Sequence, residues 1–213
     1  MKIDTFTGGY FQTNGYLLTH NGAAWLIDAP DGIADWLATR EIVPEALLLT
    51  HLHYDHIIDA AVVKERFDCP IWSHSQPDPD LTLETVLKES IGWPFNVTPF
   101  ESDHLMAGKT EVEIGGLNFD LYHVPGHSPD SLCFAPRISS SEAADGPPVL
   151  FGGDVLFQGS IGRTDFPHGN HDQLLEGILS KLYPLPGETV VYPGHGPATT
   201  VGVERIQNPY VRA

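Results

Sequence analysis

Short apolar runs separated by turn residues make up the first third of the chain. Residues 16–20 and 23–28 are two such runs, and Asn21-Gly22 between them is the dipeptide that most strongly favours a two-residue hairpin turn. Helical spacing and short continuous apolar runs then predict a helix, a buried strand and a second helix: 32–40, 46–50 and 60–66. The pattern thus indicates strands that alternate with helices.

The rest of the chain repeats this arrangement after a proline-rich region. Residues 76–100 hold four prolines around one helical run, 81–90, and we expect an excursion beside the active site. Gly115-Gly116 predicts the turn of a second hairpin, and the polar segment 138–148 predicts a surface loop. Four elements are predicted after it: strand 149–151, helix 171–182, strand 189–192 and a helix that begins near Thr199 or Thr200. Two runs of strand and helix indicate a layered α/β fold with two sheets.

The composition is that of one globular domain. A chain of 213 residues buries a substantial core, and nothing in it requires two independent domains, so we expect a single domain over 1–213. The first residues lack the apolar run of a signal peptide, and no stretch is long and apolar enough to span a membrane. Cys69 and Cys133 are too few for a disulfide framework. These features predict a cytoplasmic protein with no membrane partner.

The net charge argues against one class of substrate, and the histidine content points to a metal site. The formal net charge of −17, from 28 acidic and 11 basic residues, argues against nucleic acid, because phosphate backbones are bound by basic surfaces. The 11 histidines equal the lysines and arginines together. Since imidazole is the commonest metal ligand, this excess favours a metal site that acts on a small molecule.

Four potential ligands follow the buried strand 46–50 within a few residues: His51, His53, Asp55 and His56. Clustered imidazoles and a carboxylate at a strand end repel one another on protonation and bury little apolar surface, so packing is a poor explanation. Metal ligation removes that difficulty. The alternative is a solvated loop whose histidines bind nothing.

Three further positions share one local pattern: an apolar strand, a glycine turn and then a ligand. His127 follows Val124-Pro125-Gly126, Asp154 follows Phe151-Gly152-Gly153, and His195 follows Tyr192-Pro193-Gly194. Glycine lets the backbone approach a crowded centre, and a tight turn holds the ligand rigidly.

With these motifs in this order, the sequence resembles the metallo-β-lactamase superfamily, and within it the glyoxalase II-like hydrolases. The resemblance implies a metallo-β-lactamase αββα sandwich of two mixed sheets with helices on both outer faces. It also implies that His51, His53 and His127 bind one metal, that Asp55, His56 and His195 bind a second, and that Asp154 bridges the two. Asp28 matches the family's early aspartate, which supports the ligands without binding metal.

The ligand set and the resemblance together imply a hydrolytic reaction. Five imidazoles and two carboxylates suit zinc, with iron or manganese as alternatives. Two such ions would hold a bridging hydroxide as nucleophile, which Asp55 or Asp154 would help to orient. No serine or cysteine nucleophile is needed, and we expect Ser128 and Ser131 to shape the loop around His127.

The substrate is suggested by the segment 155–167, which looks like that of glyoxalase II-like and persulfide dioxygenase-like proteins. This favours a thioester such as S-lactoylglutathione. Arg163 has two interpretations: an ion pair with Asp165 that shapes the loop, or a contact to a substrate carboxylate. The ending, 199–210, resembles the compact bacterial subgroup, so we expect no C-terminal helical extension of the kind that contacts glutathione in larger glyoxalase II enzymes.

Two other enzymatic functions and one non-catalytic function stay open. A mononuclear iron persulfide dioxygenase would share the segment around Arg163, although Pro193-Gly194-His195-Gly196 favours a hydrolase. A lactonase or β-lactamase would use the same metal centre, whereas a binding module would have lost ligands. The other histidines are expected to lie on the surface or to be hydrogen bonded, with His123 the best candidate for a role near the site: His20, His74, His104, His123, His168 and His171.

Overall fold

The structure is a computed structural model that describes residues 1–92, 96–138 and 146–212. The chain forms two compact units, residues 1–107 and 108–213. Most of the predicted surface loop, 139–145, lies outside the described residues. Each unit contains one mixed sheet of six strands, and each is described by itself below.

The sheet of the first unit has its strands in sequence order. They are β1 (Lys2–Gly8), β2 (Thr13–His20), β3 (Ala23–Ile27), β4 (Ala46–Leu48), β5 (Ile71–Ser73) and β6 (His104–Leu105). The first three are antiparallel, and β3 to β6 are parallel. Asn21 and Gly22 both have positive φ, 50° and 86°, as the predicted hairpin turn requires.

Four helices belong to this unit: α1 (Ile33–Ala38), α2 (Tyr54–Ile57), α3 (Ala60–Phe67) and α4 (Glu84–Ile91). Leu37 of α1 and Val63 of α3 pack in one buried cluster with Leu26 and Leu47 of the sheet. Gly32 at the start of α1 offers no side-chain cap, and Asp59 instead accepts the first backbone N–H groups, from Gly32 at 3.0 Å and Ala34 at 3.1 Å. These two hydrogen bonds join the start of α1 to the residue that precedes α3.

The sheet of the second unit has the order β14-β13-β10-β9-β8-β7. Its strands are β7 (Glu111–Ile114), β8 (Leu117–His123), β9 (Leu132–Arg137), β10 (Val149–Gly153), β13 (Val190–Pro193) and β14 (Thr199–Thr200); β11 (Leu156–Phe157) and β12 (Ser160–Ile161) form a separate hairpin. β10 pairs parallel with β13, and β9 pairs antiparallel with both β10 and β8. Strands β8, β10 and β13 therefore run in the same direction.

Two helical segments complete this unit. Helix α5 (His171–Gly177) is capped by the Asn170 side chain, which accepts the Gln173 N–H at 3.0 Å, and it continues as a π-helical turn over Ile178–Leu182. Helix α6 (Val201–Gln207) is capped in the same way by Thr200. Their apolar residues pack with β10 and β13 in one cluster that includes Leu150, Leu174, Ile178, Val191 and Val201.

The predicted α/β class with two mixed sheets and flanking helices is confirmed. The helix expected near 81–90 is α4, and the helix expected over 171–182 is α5 with its π-helical extension. Among the residues that the structure describes, no helix is long and apolar enough to span a membrane.

Candidate metal centre

The predicted ligands of the first unit lie at the carboxyl ends of two parallel strands. Asp28 directly follows β3, and the segment that begins at His51 follows β4. Because β2 is antiparallel to β3, its first residue, Thr13, lies at the same edge. Ligands are commonly bound at this edge of a parallel sheet, where the strand ends present short loops.

Asp28 organises this edge through its carboxylate, which is buried. Its Oδ1 accepts the Thr50 N–H at 2.7 Å, and its Oδ2 accepts the Thr50 hydroxyl and His56 Nδ1, both at 2.8 Å. Since Nδ1 of His56 donates to a carboxylate, its Nε2 carries the lone pair that a metal would bind. Asp28 thus holds both Thr50 and His56, and its role as a support for metal ligands stays a prediction.

The four clustered ligands lie close together around His56. The His51 ring is 4.5 Å from that of His53 and 4.1 Å from that of His56, centroid to centroid, and all three residues are buried. Asp55 Oδ2 lies 3.6 Å from His56 Nε2 and accepts the Thr13 hydroxyl at 2.6 Å. The three histidines are buried and Asp55 is partly buried, so this segment is not a solvated loop.

The second unit brings its three predicted ligands together in the same way. His127, Asp154 and His195 follow β8, β10 and β13, whose carboxyl ends meet at one edge of the sheet. Asp154 Oδ2 lies 3.5 Å from His127 Nε2 and 3.4 Å from His195 Nε2. His127 and Asp154 are buried, and His195 is partly exposed.

His127 is oriented by backbone and by its own loop. Its Nδ1 donates to the Arg163 carbonyl at 2.8 Å, which leaves Nε2 to face Asp154. Ser131 Oγ accepts the Ser128 N–H, and Ser128 Oγ donates to Asp130, so both serines shape the loop as expected. His123 Nε2 donates to the Pro129 carbonyl at 2.8 Å, which gives this histidine a supporting role in the same loop.

The donor atoms fit divalent metal within each unit. Two ligand atoms bound to one tetrahedral zinc, each at about 2.0–2.1 Å, lie about 3.4 Å from each other. The separations of 3.4 and 3.5 Å at Asp154 and of 3.6 Å at His56 are too long for good hydrogen bonds and close to that value. Imidazole and carboxylate are also the ligands that zinc and iron accept.

The Arg163 side chain forms the ion pair with Asp165 that the first interpretation predicts. Its guanidinium donates two hydrogen bonds of 2.7 Å to Asp165 and lies 4.0 Å from the centre of the Phe166 ring. Those hydrogen bonds lower the pKa of Asp165 to about 2. Its contact to a substrate stays a prediction.

Sequence reasoning missed two residues that support the ligands. Thr50 begins the histidine motif and would have been found as the neighbour of His51, whereas Thr13 lies far along the chain and gives no signal in the sequence. The Phe157 ring lies 6.3 Å from that of His195, and Phe157 was not named as a site residue although it belongs to the segment 155–167.

Comparison with known proteins points to the same family as the arrangement of the predicted ligands. The model of the metallo-β-lactamase superfamily matches residues 8–195. The chain is 35% identical to the probable metallo-hydrolase YqgX of Bacillus subtilis, with 99% of this chain and 98% of the relative covered. It is 34% identical to the hydroxyacylglutathione hydrolase GloC of Haemophilus influenzae, with 100% and 99% covered.

Two solved structures extend the likeness to the fold. The B3 metallo-β-lactamase BLEG-1 has a TM-score of 0.85 and 38% identity over the whole of both chains. TTHA1623, solved in a di-iron-bound form, has a TM-score of 0.78 and 34% identity over 98% of this chain and all of that one. The match to the family model over residues 8–195, with relatives that cover nearly the whole chain, shows that the chain belongs to the metallo-β-lactamase superfamily of metal-dependent hydrolases.

Proposed function

We propose that the seven predicted ligands bind two divalent metal ions and that the protein hydrolyses a thioester of the S-lactoylglutathione type. One observation carries the binuclear part of the proposal. A single oxygen of Asp154 lies at ligand-to-ligand distance from both His127 and His195, which the family pattern assigns to different metals. This supports a bridging role for Asp154, because the same oxygen could reach a metal bound by either histidine.

In this proposal His51, His53 and His127 bind one metal, Asp55, His56 and His195 bind the other, and Asp154 bridges them. Two divalent ions in such a site would lower the pKa of a water molecule and polarise a carbonyl group. Asp28 and the Arg163 carbonyl hold His56 and His127 with Nε2 as the ligand atom, and the Thr13 hydroxyl orients Asp55.

The thioester substrate is supported by full-length similarity to GloC and by the segment 155–167. A second candidate function, opening of a β-lactam or lactone ring, is favoured by the likeness to BLEG-1. Both reactions attack an acyl carbon and differ in the leaving group, so the ligands alone do not choose between them.

Zinc is the metal we propose first, and iron is the alternative that TTHA1623 supports. We also propose a reducing compartment, the cytoplasm. Cys69 and Cys133 are free and buried, and burial raises the pKa of each thiol to about 12, so neither is a reactive thiolate at neutral pH.

A substrate panel on the metal-loaded protein tests the proposal. The measurement is kcat/KM for S-lactoylglutathione, an acyl-homoserine lactone and nitrocefin, together with oxygen uptake on glutathione persulfide. We expect the thioester to have the highest kcat/KM, by at least about 10-fold, a difference of about 1.4 kcal/mol in transition-state binding. Faster lactone or nitrocefin hydrolysis would favour the second candidate. Oxygen uptake with one iron per chain and no thioesterase activity would overturn both.

A further inference from the structure

Glu204 is an acidic residue of the C-terminal helix α6 that is almost completely buried, with 1% of its surface exposed. A buried carboxylate costs several kcal/mol unless hydrogen-bond donors surround it. Glu204 has three such donors. Oε1 accepts the Thr199 hydroxyl at 2.5 Å, and Oε2 accepts the Gly159 N–H at 2.8 Å and the Asn208 side-chain amide at 2.9 Å.

Gly159 lies at the tip of the β11–β12 hairpin, so its hydrogen bond to Glu204 holds this tip from outside the hairpin. Asn208 adds a second hold, because its Nδ2 also donates to the Ser160 carbonyl at 2.9 Å. Two neighbouring backbone groups of the tip are therefore bound by side chains at the C-terminal end of the chain. A two-stranded hairpin this short has little stability of its own and depends on such contacts.

The hairpin connects two parts of the ligand arrangement. It begins at Leu156, two residues after Asp154, and ends at Ile161. The N–H of Gly162, directly after it, donates to the Val155 carbonyl at 3.3 Å. The next residue, Arg163, provides the carbonyl that holds His127 Nδ1. A Cβ on Gly162 would collide with the Asp154 carbonyl, so the backbone there is packed directly against the ligand's own peptide.

The second oxygen of Glu204 reaches the segment that carries His195. Thr199, its donor, begins β14 at the end of the turn that follows His195. One carboxylate thus binds both the hairpin after Asp154 and the turn after His195.

We propose that Glu204 is a positioning residue for the metal ligands of the second unit, and that it acts through the hairpin on Asp154 and His127 and through Thr199 on His195. The inference rests on the proposed function only in that these three residues are metal ligands. It does not depend on the substrate. It gives a role to the compact C-terminal segment 199–210, which the metal chemistry itself does not use.

The donor pattern makes the proposal testable with a conservative variant. In Glu204→Gln, the amide oxygen can accept from Gly159 and Asn208 while the amide nitrogen donates to the Thr199 hydroxyl, which is able to accept. Glu204→Ala removes all three contacts. Positioning therefore predicts loss in the alanine variant and rescue in the glutamine variant. Glu176→Ala is the matched control, because Glu176 is an exposed glutamate of the same unit.

The experiment measures Zn²⁺ affinity by competition with a chromophoric chelator, and the visible spectrum of the Co²⁺-loaded protein. Circular dichroism establishes a temperature at which every variant is folded. We expect Glu204→Ala to weaken Zn²⁺ binding about 10- to 100-fold and to change the Co²⁺ spectrum. Glu204→Gln and Glu176→Ala should stay within about threefold of the unmodified protein, with unchanged spectra.

A Glu204→Ala protein that melts at lower temperature but keeps its Zn²⁺ affinity and Co²⁺ spectrum would overturn the proposal, since Glu204 would then serve stability alone. If this variant does not fold, Thr199→Val removes one donor and tests the same link. It should weaken Zn²⁺ binding, and unchanged affinity would contradict the proposal. Because the readouts are metal binding, absence of thioesterase activity in the unmodified protein would count against the proposed function and not against this inference.

Discussion

At His56 and His127, a hydrogen bond at one ring nitrogen leaves the other as the ligand atom of the proposed metal site. Nδ1 of His56 donates to Asp28, and Nδ1 of His127 donates to a backbone carbonyl, that of Arg163. A hydrogen bond at Nδ1 fixes the tautomer and the plane of the ring, so the ligand is formed before the metal arrives. The two supports differ in one respect: a carboxylate can be changed by mutation, whereas a carbonyl cannot.

Asp28→Asn tests the tautomer argument. Asp28 has a positive φ of 58°, a conformation that asparagine also tolerates, so the backbone should be kept. An amide nitrogen facing His56 Nδ1 would favour the tautomer with hydrogen on Nε2, which is unable to bind metal. We expect Zn²⁺ affinity to fall about 10- to 100-fold, measured by chelator competition.

The control for this substitution is Asp31→Asn, which changes an exposed aspartate of the same loop. It should leave Zn²⁺ affinity unchanged. Equal affinity in Asp28→Asn and Asp31→Asn would show that the carboxylate of Asp28 does not set the tautomer of His56.

At this scale the sequence was informative where ligands follow one another or follow a glycine turn. The motif from His51 to His56 and the Pro-Gly-His turns are visible as local patterns. Thr13 was not predictable, because its contact to Asp55 joins residues 42 positions apart and a lone threonine at a strand start has no distinctive pattern.

The predicted metal ligands of both units lie at the ends of parallel strands. Asp28 and His51 follow neighbouring parallel strands β3 and β4, and Asp154 and His195 follow β10 and β13. The Gly194 N–H donates to the Gly153 carbonyl at 2.9 Å, which ties the last two turns together directly before their ligands. Ligand spacing in each unit is thus set by sheet register rather than by long loops.

Gly126→Ala tests the role of the turn that precedes His127. Gly126 has a φ of 132°, and a Cβ there would lie 2.5 Å from the Asn170 carbonyl oxygen and 2.6 Å from the Leu174 nitrogen. Both are backbone atoms at the start of α5, which have little freedom to move. We expect the substitution to lower the free energy of unfolding by about 3 kcal/mol, measured by urea denaturation.

Gly146→Ala is the matched control, because a Cβ there would meet nothing within 4 Å and Gly146 does not require a positive φ. Its unfolding midpoint should equal that of the unmodified protein. A Gly126→Ala protein as stable as this control would mean that the turn and α5 can separate at no cost.

Many elements with strong local signals were predicted, whereas the first strand, β1, and several short or irregular elements were not. Both hairpins predicted from Asn21-Gly22 and Gly115-Gly116 are present. The β11–β12 hairpin was missed, since two-residue strands have no measurable alternation, and β9 was missed because it contains Pro136 and ends beside a polar segment. The β11–β12 hairpin is held by a residue distant in sequence, Glu204, which accepts the Gly159 N–H.

At the scale of the whole chain, the two compact units could unfold in one cooperative step or separately. The family model runs from residue 8 to residue 195 and so passes through both units. On this basis we propose that 1–213 is a single folding domain. All four tryptophans lie in the first unit, and Cys133 is a buried thiol of the second, so each unit has its own reporter.

We expect both reporters to show the same unfolding transition. In a Cys69→Ala variant, tryptophan fluorescence and thiol labelling of Cys133 should show the same urea midpoint, because a single domain unfolds in one cooperative step. Zn²⁺ at 100 times its dissociation constant should raise the free energy of unfolding by about 2.7 kcal/mol for each bound ion, equally in both probes. Separate midpoints would contradict a single domain.

The binuclear centre is the central claim, and metal stoichiometry tests it most directly. Purified protein loaded with Zn²⁺ and passed through a desalting column should retain two metal ions per chain by elemental analysis. Asp154→Ala should retain less than one and lose thioesterase activity, whereas Asp172→Ala, an exposed control, should keep both. Two retained ions and full activity in Asp154→Ala would contradict the account.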